Sequence, residues 1–176
     1  MIPAARPREL SQAEQMSLWP AELVNEFFAG LTAVEIKKLP YAWEFWARPK
    51  QIAPTGNWTY LLFLAGRGWG KTRTVVEWAI SKARAMPGSR GAIVASTAAD
   101  ARDVLVEGES GILAVSDPDF MPLYEPSKRR LTWPNGTVAT MYTADKPDRL
   151  RGPQHHWAVA DELAAWRFGQ DAWDML

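Results

Sequence analysis

The sequence has no cysteine in its 176 residues. That excludes a disulfide framework and any thiolate metal site. It also lacks a charge excess of either sign, since Lys+Arg and Asp+Glu each number 20. No global positive field marks a nucleic-acid binder, so any such contact must come from a local patch. No run is apolar and long enough to span a membrane, and the opening MIPAARPREL lacks the apolar stretch of a secretory leader. Histidine is limited to the adjacent pair His155 and His156, with no ligand cluster spaced around it, so the pair reads as structural. Tryptophan is the abundant residue, with ten copies, and packing is its simplest use. Length and composition suit one globular domain with a sizeable core.

The order of patterns is informative. SQAE (11–14) and TAVE (32–35) have the spacing of capping boxes. Apolar residues at Leu23, Phe27 and Leu31 keep a helical period, so residues 10–39 are expected to form short amphipathic helices. Their apolar faces need cover, for which the following domain is favoured over a second protein. TYLLFLA (59–65) is a continuous apolar run closed by glycines, the form of a buried parallel strand. KTRTVVEWAISKARAM (71–86) reads as a helix ended by Pro87-Gly88. GAIVAS (91–96) reads as a second buried strand, 97–107 as a helix, and 117–126 as a proline-rich loop. Asn135-Gly136 between 129–133 and 137–143 marks a hairpin. WAVAD (157–161) reads as a last strand and 162–176 as a helix. The alternation predicts an α/β fold with a mainly parallel sheet.

Four stretches carry chemistry. LAGRGWGKTR (64–73) is a glycine-rich turn between an expected strand and helix. Backbone N–H groups of Ala65, Gly66, Arg67, Gly68, Trp69 and Gly70 would cradle phosphates. Lys71 would reach the β- and γ-phosphates, and the Thr72 hydroxyl would ligate Mg²⁺. Ala65 stands where the usual pattern has its first glycine. WAVADE (157–162) ends an apolar strand in two carboxylates. Asp161 would hold Mg²⁺, and Glu162 would orient and deprotonate an attacking water. Alone, such a pair is equally an ordinary polar strand end. In ARPKQ (47–51), Gln51 offers a donor–acceptor pair to an adenine edge, and Arg48, or Trp46 just before the stretch, would stack on the base; a solvated turn is the plain reading. In DRLRG (148–152), Arg151, ahead of Arg149, is a candidate arginine finger, and Arg67 a further γ-phosphate contact. A surface salt bridge is the plain reading of Arg151. Lys128, Arg129 and Arg130 form a short basic run, a solvated face or a DNA-backbone contact.

ARPKQ, LAGRGWGKTR, ASTAADARDVLVEGESGIL and LRGPQHHWAVADELAAW, taken together, resemble the large terminase subunit of tailed bacteriophages. The resemblance covers residues 41–176, with 1–40 as a helical lead-in. It implies a P-loop NTPase fold of the additional-strand, catalytic-glutamate type, binding ATP and Mg²⁺. It assigns Lys71 and Thr72 to a deviant phosphate loop in which Ala65 is a family variant. It makes Asp161 the Mg²⁺ carboxylate, Glu162 the catalytic base, Gln51 an adenine-side contact and Arg151 a finger acting between subunits. It further implies a ring homo-oligomer in the host cytoplasm that drives double-stranded DNA into procapsids, with portal and small terminase subunit as partners. Large terminases continue past the acidic motif into further ATPase strands and a nuclease domain. The chain is therefore expected to be a C-terminally truncated piece with an unpaired sheet edge. Two other readings stand beside the motor ATPase. One is a non-catalytic fragment that binds nucleotide, DNA or terminase partners. The other is a helicase-like ATPase, against which DELA, without Asp or His at its fourth place, counts.

Overall fold

A computed structural model describes residues 9–176. The chain divides into two compact units, one running through Leu64 and the other covering Ala65–Leu176.

The first unit is a set of short helices: α1 (Gln12–Met16), α2 (Ala21–Ala29), α3 (Ala33–Lys38) and α4 (Trp43–Trp46). Both expected capping boxes form. Glu14 N–H donates to Ser11 Oγ at 3.1 Å while Ser11 N–H donates to Glu14 Oε2 at 2.8 Å. Thr32 and Glu35 make the same reciprocal pair at α3. Each box satisfies donors that a helix start would otherwise leave orphaned. Helices this short are not stable alone, and aromatic packing supplies cohesion. Phe27 of α2 stacks on Phe45 of α4 with centroids 6.0 Å apart. Part of the α2 apolar face is thus covered within its own unit.

The expected strand over 59–65 does not form. Tyr60, Leu62 and Leu64 are exposed, Leu64 to 86%. A continuous apolar run becomes a buried strand only where neighbouring strands flank it. Among the described residues no strand pairs with this one.

The second unit carries a five-stranded sheet in the order β2-β3-β4-β1-β5. Its strands are β1 (Arg90–Ala95), β2 (Leu123–Glu125), β3 (Arg130–Thr132), β4 (Val138–Thr143) and β5 (Trp157–Ala160). β1 runs parallel to β4 and β5, while β2–β3 and β3–β4 are antiparallel. The sheet is therefore mixed, with a parallel centre of β4, β1 and β5 to which the hairpin adds antiparallel pairs at one side. Its turn forms as read, with Gly136 at φ 81°. β2 lies inside the segment read as loop. It is a three-residue edge strand bracketed by Pro122 and Pro126, a place where proline costs no ladder bond.

Strand alternation assigns the two faces. Ile93, Ala95, Leu131, Ala139, Met141, Trp157 and Val159 share one core with α5 (Lys71–Ala85). That core also takes a π-helical turn, Ala101–Val106, which follows the single turn α6 (Ala98–Asp100), and the short helix α7 (Ile112–Val115). Ala92, Val94, Leu150 and Trp166 share the other core with α8 (Gly169–Asp174). Gly91 faces Trp157 across the β1–β5 ladder, and a Cβ there would overlap the indole ring. The long helix expected over 162–176 is broken. Glu162 has φ 51°, a 3-10 turn covers Leu163–Ala165, and α8 begins only at Gly169. Among the described residues no helix is long and apolar enough to cross a membrane.

Candidate active site

The glycine-rich turn passes directly into α5. Gly68 and Gly70 have φ of 75° and 87°, a region that residues with a Cβ rarely adopt. Gly70 is the N-cap of this 15-residue helix, and its carbonyl accepts from both Thr74 N–H at 3.0 Å and Thr74 Oγ at 2.9 Å. The first N–H groups of the helix and the positive end of its dipole therefore open toward the turn. Lys71 folds back over the turn, its Nζ donating to the carbonyls of Ala65 at 2.9 Å and Gly66 at 3.2 Å. Gly66, Arg67 and Gly68 are exposed, and Trp69 is half-buried.

The acidic motif arrives from 89 residues away along the chain. Thr72 Oγ1 donates to Asp161 Oδ2 at 3.0 Å. Alternation puts Trp157, Val159 and Asp161 on the sheet face that packs on α5, so Asp161 meets the first turn of that helix. Asp161 is 8% exposed. Its other oxygen, Oδ1, accepts from Glu162 N–H at 3.0 Å, and its backbone N–H donates to Val94 O at 3.0 Å. Trp166 Nε1 donates to Asp161 O at 2.9 Å. That indole, together with Ala165 N–H on Glu162 O at 2.8 Å, fixes the turn in which Glu162 is left-handed and exposed. A non-glycine residue held there is strained, and such strain gathers at functional sites.

Arg151 is 72% exposed on its loop, 3.7 Å from Asp148. Among the described residues no hydrogen bond or ion pair links Arg67 or Arg151 to Asp161 or Glu162. Gln51 and Arg48 belong to the first unit. Gln51 is 7% exposed, and its Oε1 accepts from Arg48 N–H at 3.0 Å, closing a 3-10 turn.

Three contributors escaped the sequence reading. Trp166 anchors the carboxylate turn, Thr74 braces the helix start, and Arg73 pairs with Glu77 at 2.7 Å on the same helix. Only the last had a local signal, opposite charges four residues apart. Burial pushes the Glu77 carboxyl up, and Arg73 beside it pulls the other way.

Thr72 and Asp161 offer hard oxygen donors, the set that Mg²⁺ prefers. At metal–oxygen distances of about 2.1 Å, adjacent octahedral ligands lie about 3 Å apart. The observed 3.0 Å separation matches that spacing. Among the described residues no cluster of three or more His, Asp or Glu is placed to hold a metal. Mg²⁺ does not need one, because it keeps water and phosphate oxygens in its shell.

The family model of the T4likevirus-type terminase large subunit, N-terminal part, matches residues 62–176. No curated protein matches the chain. Among solved structures, the large terminase ATPase domain of Thermus phage P74-26 is similar, at 22% identity, with a TM-score of 0.49. An arginine-to-alanine variant of that domain is similar at the same identity, with a TM-score of 0.47. Each match covers 63% of this chain and 52% of the other, so the chain spans about half the length of those relatives. With well over half of its residues matched by the family model, the chain belongs to the T4likevirus-type terminase large subunit family.

Proposed function

We propose that this chain carries the ATP-hydrolysing site of a DNA-packaging motor, dependent on Mg²⁺. The observation that supports it most is the Thr72–Asp161 hydrogen bond, which joins the phosphate-loop helix to the acidic strand end. In this reading the N–H groups of the glycine-rich turn and the first turn of α5 bind the β-phosphate. Lys71 exchanges the carbonyls of Ala65 and Gly66 for phosphate oxygens. Thr72 and Asp161 hold Mg²⁺, which when bound neutralises charge on the β- and γ-phosphates. Glu162 accepts a proton from the water that attacks the γ-phosphorus.

Arg67 and Arg151 are proposed to meet the γ-phosphate, Arg151 from a neighbouring subunit of a ring. Its exposure suits an outward-facing role. Arg48 and Gln51 are proposed as base-side contacts; Gln51 would have to release its turn to read an adenine edge. Family membership supports double-stranded DNA as the track, the portal and small terminase subunit as partners, and the host cytoplasm as the setting. The 1–40 lead-in and the 41–176 ATPase domain belong to the same proposal.

One observation favours a second reading, nucleotide binding without turnover. Among the described residues the segment entering the phosphate loop has no strand partner, while the segment leaving it continues into α5. Two variants separate the readings. Lys71→Ala should weaken binding of a fluorescent ATP analogue, and Glu162→Ala should bind it normally but lose hydrolysis. Normal hydrolysis in both would overturn the site.

A further inference from the structure

Among the described residues two non-glycine residues have positive φ. Glu162 belongs to the site above. The other, Arg129 at φ 53°, lines a separate cavity of about 370 Å³ on the α5 side of the sheet. This cavity lies between the α6–π turn, the β2–β3 connection and the end of β4. Asp161 follows β5, two strands across from β4, so the cavity is about 10 Å from it by strand spacing.

The charges around the cavity are unevenly paired. Glu125 takes both neighbours of Arg129: Lys128 Nζ lies 2.6 Å from Oε1, and Arg130 Nη2 lies 2.6 Å from Oε2. Arg102, on the opposite wall, is paired with Asp103. Burial first, and then the Glu107 charge, push the Tyr124 hydroxyl on the rim above its ordinary pKa. Arg129 has no ion pair among the described residues. Its backbone is left-handed and it lines the cavity. Thr143, on the floor, is 3% exposed, and its hydroxyl has no hydrogen-bond partner. A buried hydroxyl left unpaired is costly. The remaining wall is largely apolar, with Ala98, Ala101, Pro126 and Met141. The volume falls at the low end of small-ligand sites.

We propose that this cavity binds a small organic phosphate, with Arg129 and Thr143 on the phosphoryl oxygens and the apolar wall against the organic group. An unpaired guanidinium presents a fork of donors matched to a tetrahedral oxyanion. The hydroxyl adds a donor from the floor, and the cavity's size admits one such group. This site is separate from the proposed ATP site and does not rest on that assignment.

The test is a titration of the ¹⁵N-labelled chain with phenyl phosphate, followed by amide shifts. Saturable shifts are expected at Ser127, Arg129 and Thr143. Affinity should fall at least tenfold in Arg129→Gly, a substitution that suits the left-handed backbone and so keeps the fold. It should fall severalfold in the near-isosteric Thr143→Val and persist in Lys71→Ala. Shifts confined to residues 65–72, equal affinity in Arg129→Gly, or a response at these amides to duplex DNA but not to phenyl phosphate would each overturn the proposal.

Discussion

Thr72 and Asp161, 89 residues apart in sequence, share a 3.0 Å hydrogen bond between the first turn of α5 and the end of β5. If both are Mg²⁺ ligands, Thr72→Ser keeps the oxygen and Thr72→Val removes it. Mg²⁺ affinity in the nucleotide complex should hold in the serine variant. It should drop at least about tenfold in the valine variant and in Asp161→Asn, the lower end of what disturbed metal sites lose. Titration of Mg²⁺ against a fluorescent nucleotide reads this directly. Equal affinity in Thr72→Val would remove Thr72 from the metal site.

Gly91 sits under the indole of Trp157. Trp157 is itself fixed by an Nε1–H bond to Ser89 Oγ at 3.1 Å and by edge contacts with Trp78 and Trp133. Gly91→Ala should therefore cost about 1–3 kcal/mol by overpacking, read by urea denaturation. An unchanged midpoint would show that the tryptophan cluster yields easily.

Glu77 is buried beside Arg73, and burial raises its carboxyl above the usual 4.5. A raised pKa means that the folded chain holds the proton more tightly than the unfolded chain. The stability this gives is full below pH 4.5 and is lost as pH rises through the folded value. Glu77→Gln does not titrate. Its stability relative to the parent should therefore be more favourable at pH 7 than at pH 4 in paired urea melts. The opposite trend would mean that the Arg73 attraction outweighs desolvation.

His155 lies edge-on to Tyr142, with both ring nitrogens buried and unpaired. Burial first, then the charges of Arg90 and His156, hold its pKa below 6.5. Here the sign reverses. The stability is present above pH 6.5 and is lost as pH falls through the lowered folded value. His155→Phe keeps the ring contact and removes two unsatisfied polar atoms, so it should stabilise by about 1 kcal/mol at pH 8. The gain should be larger at pH 5, and a smaller gain there would contradict the assignment.

The sequence was most readable where local chemistry decides the outcome. Ser11/Glu14 and Thr32/Glu35 cap helices because their side chains reach their own backbone. Asn135-Gly136 turns the hairpin because its glycine accepts positive φ. The GKT motif opens α5 and the DE motif follows β5, both strongly patterned elements, and Thr72 and Asp161 meet there. What escaped depends on distant partners. Residues 59–65 look like a buried strand, but among the described residues no ladder forms beside them. β2 becomes a strand only because β3 lies alongside it. Residues 162–176 carry a helical pattern that Glu162's left-handed backbone and the Trp166 bond to Asp161 interrupt. No periodicity encodes either.

The central claim is that these two motifs make one hydrolytic site, and ATP turnover by the purified chain tests it most directly. Turnover should require Mg²⁺ and fall by about 10²–10⁴-fold in Glu162→Gln, the range lost with a general base. Nucleotide binding should survive the substitution, and the assay is run with and without duplex DNA. A folded parent that binds ATP without hydrolysing it under either condition, or a Glu162→Gln variant as active as the parent, would contradict the account.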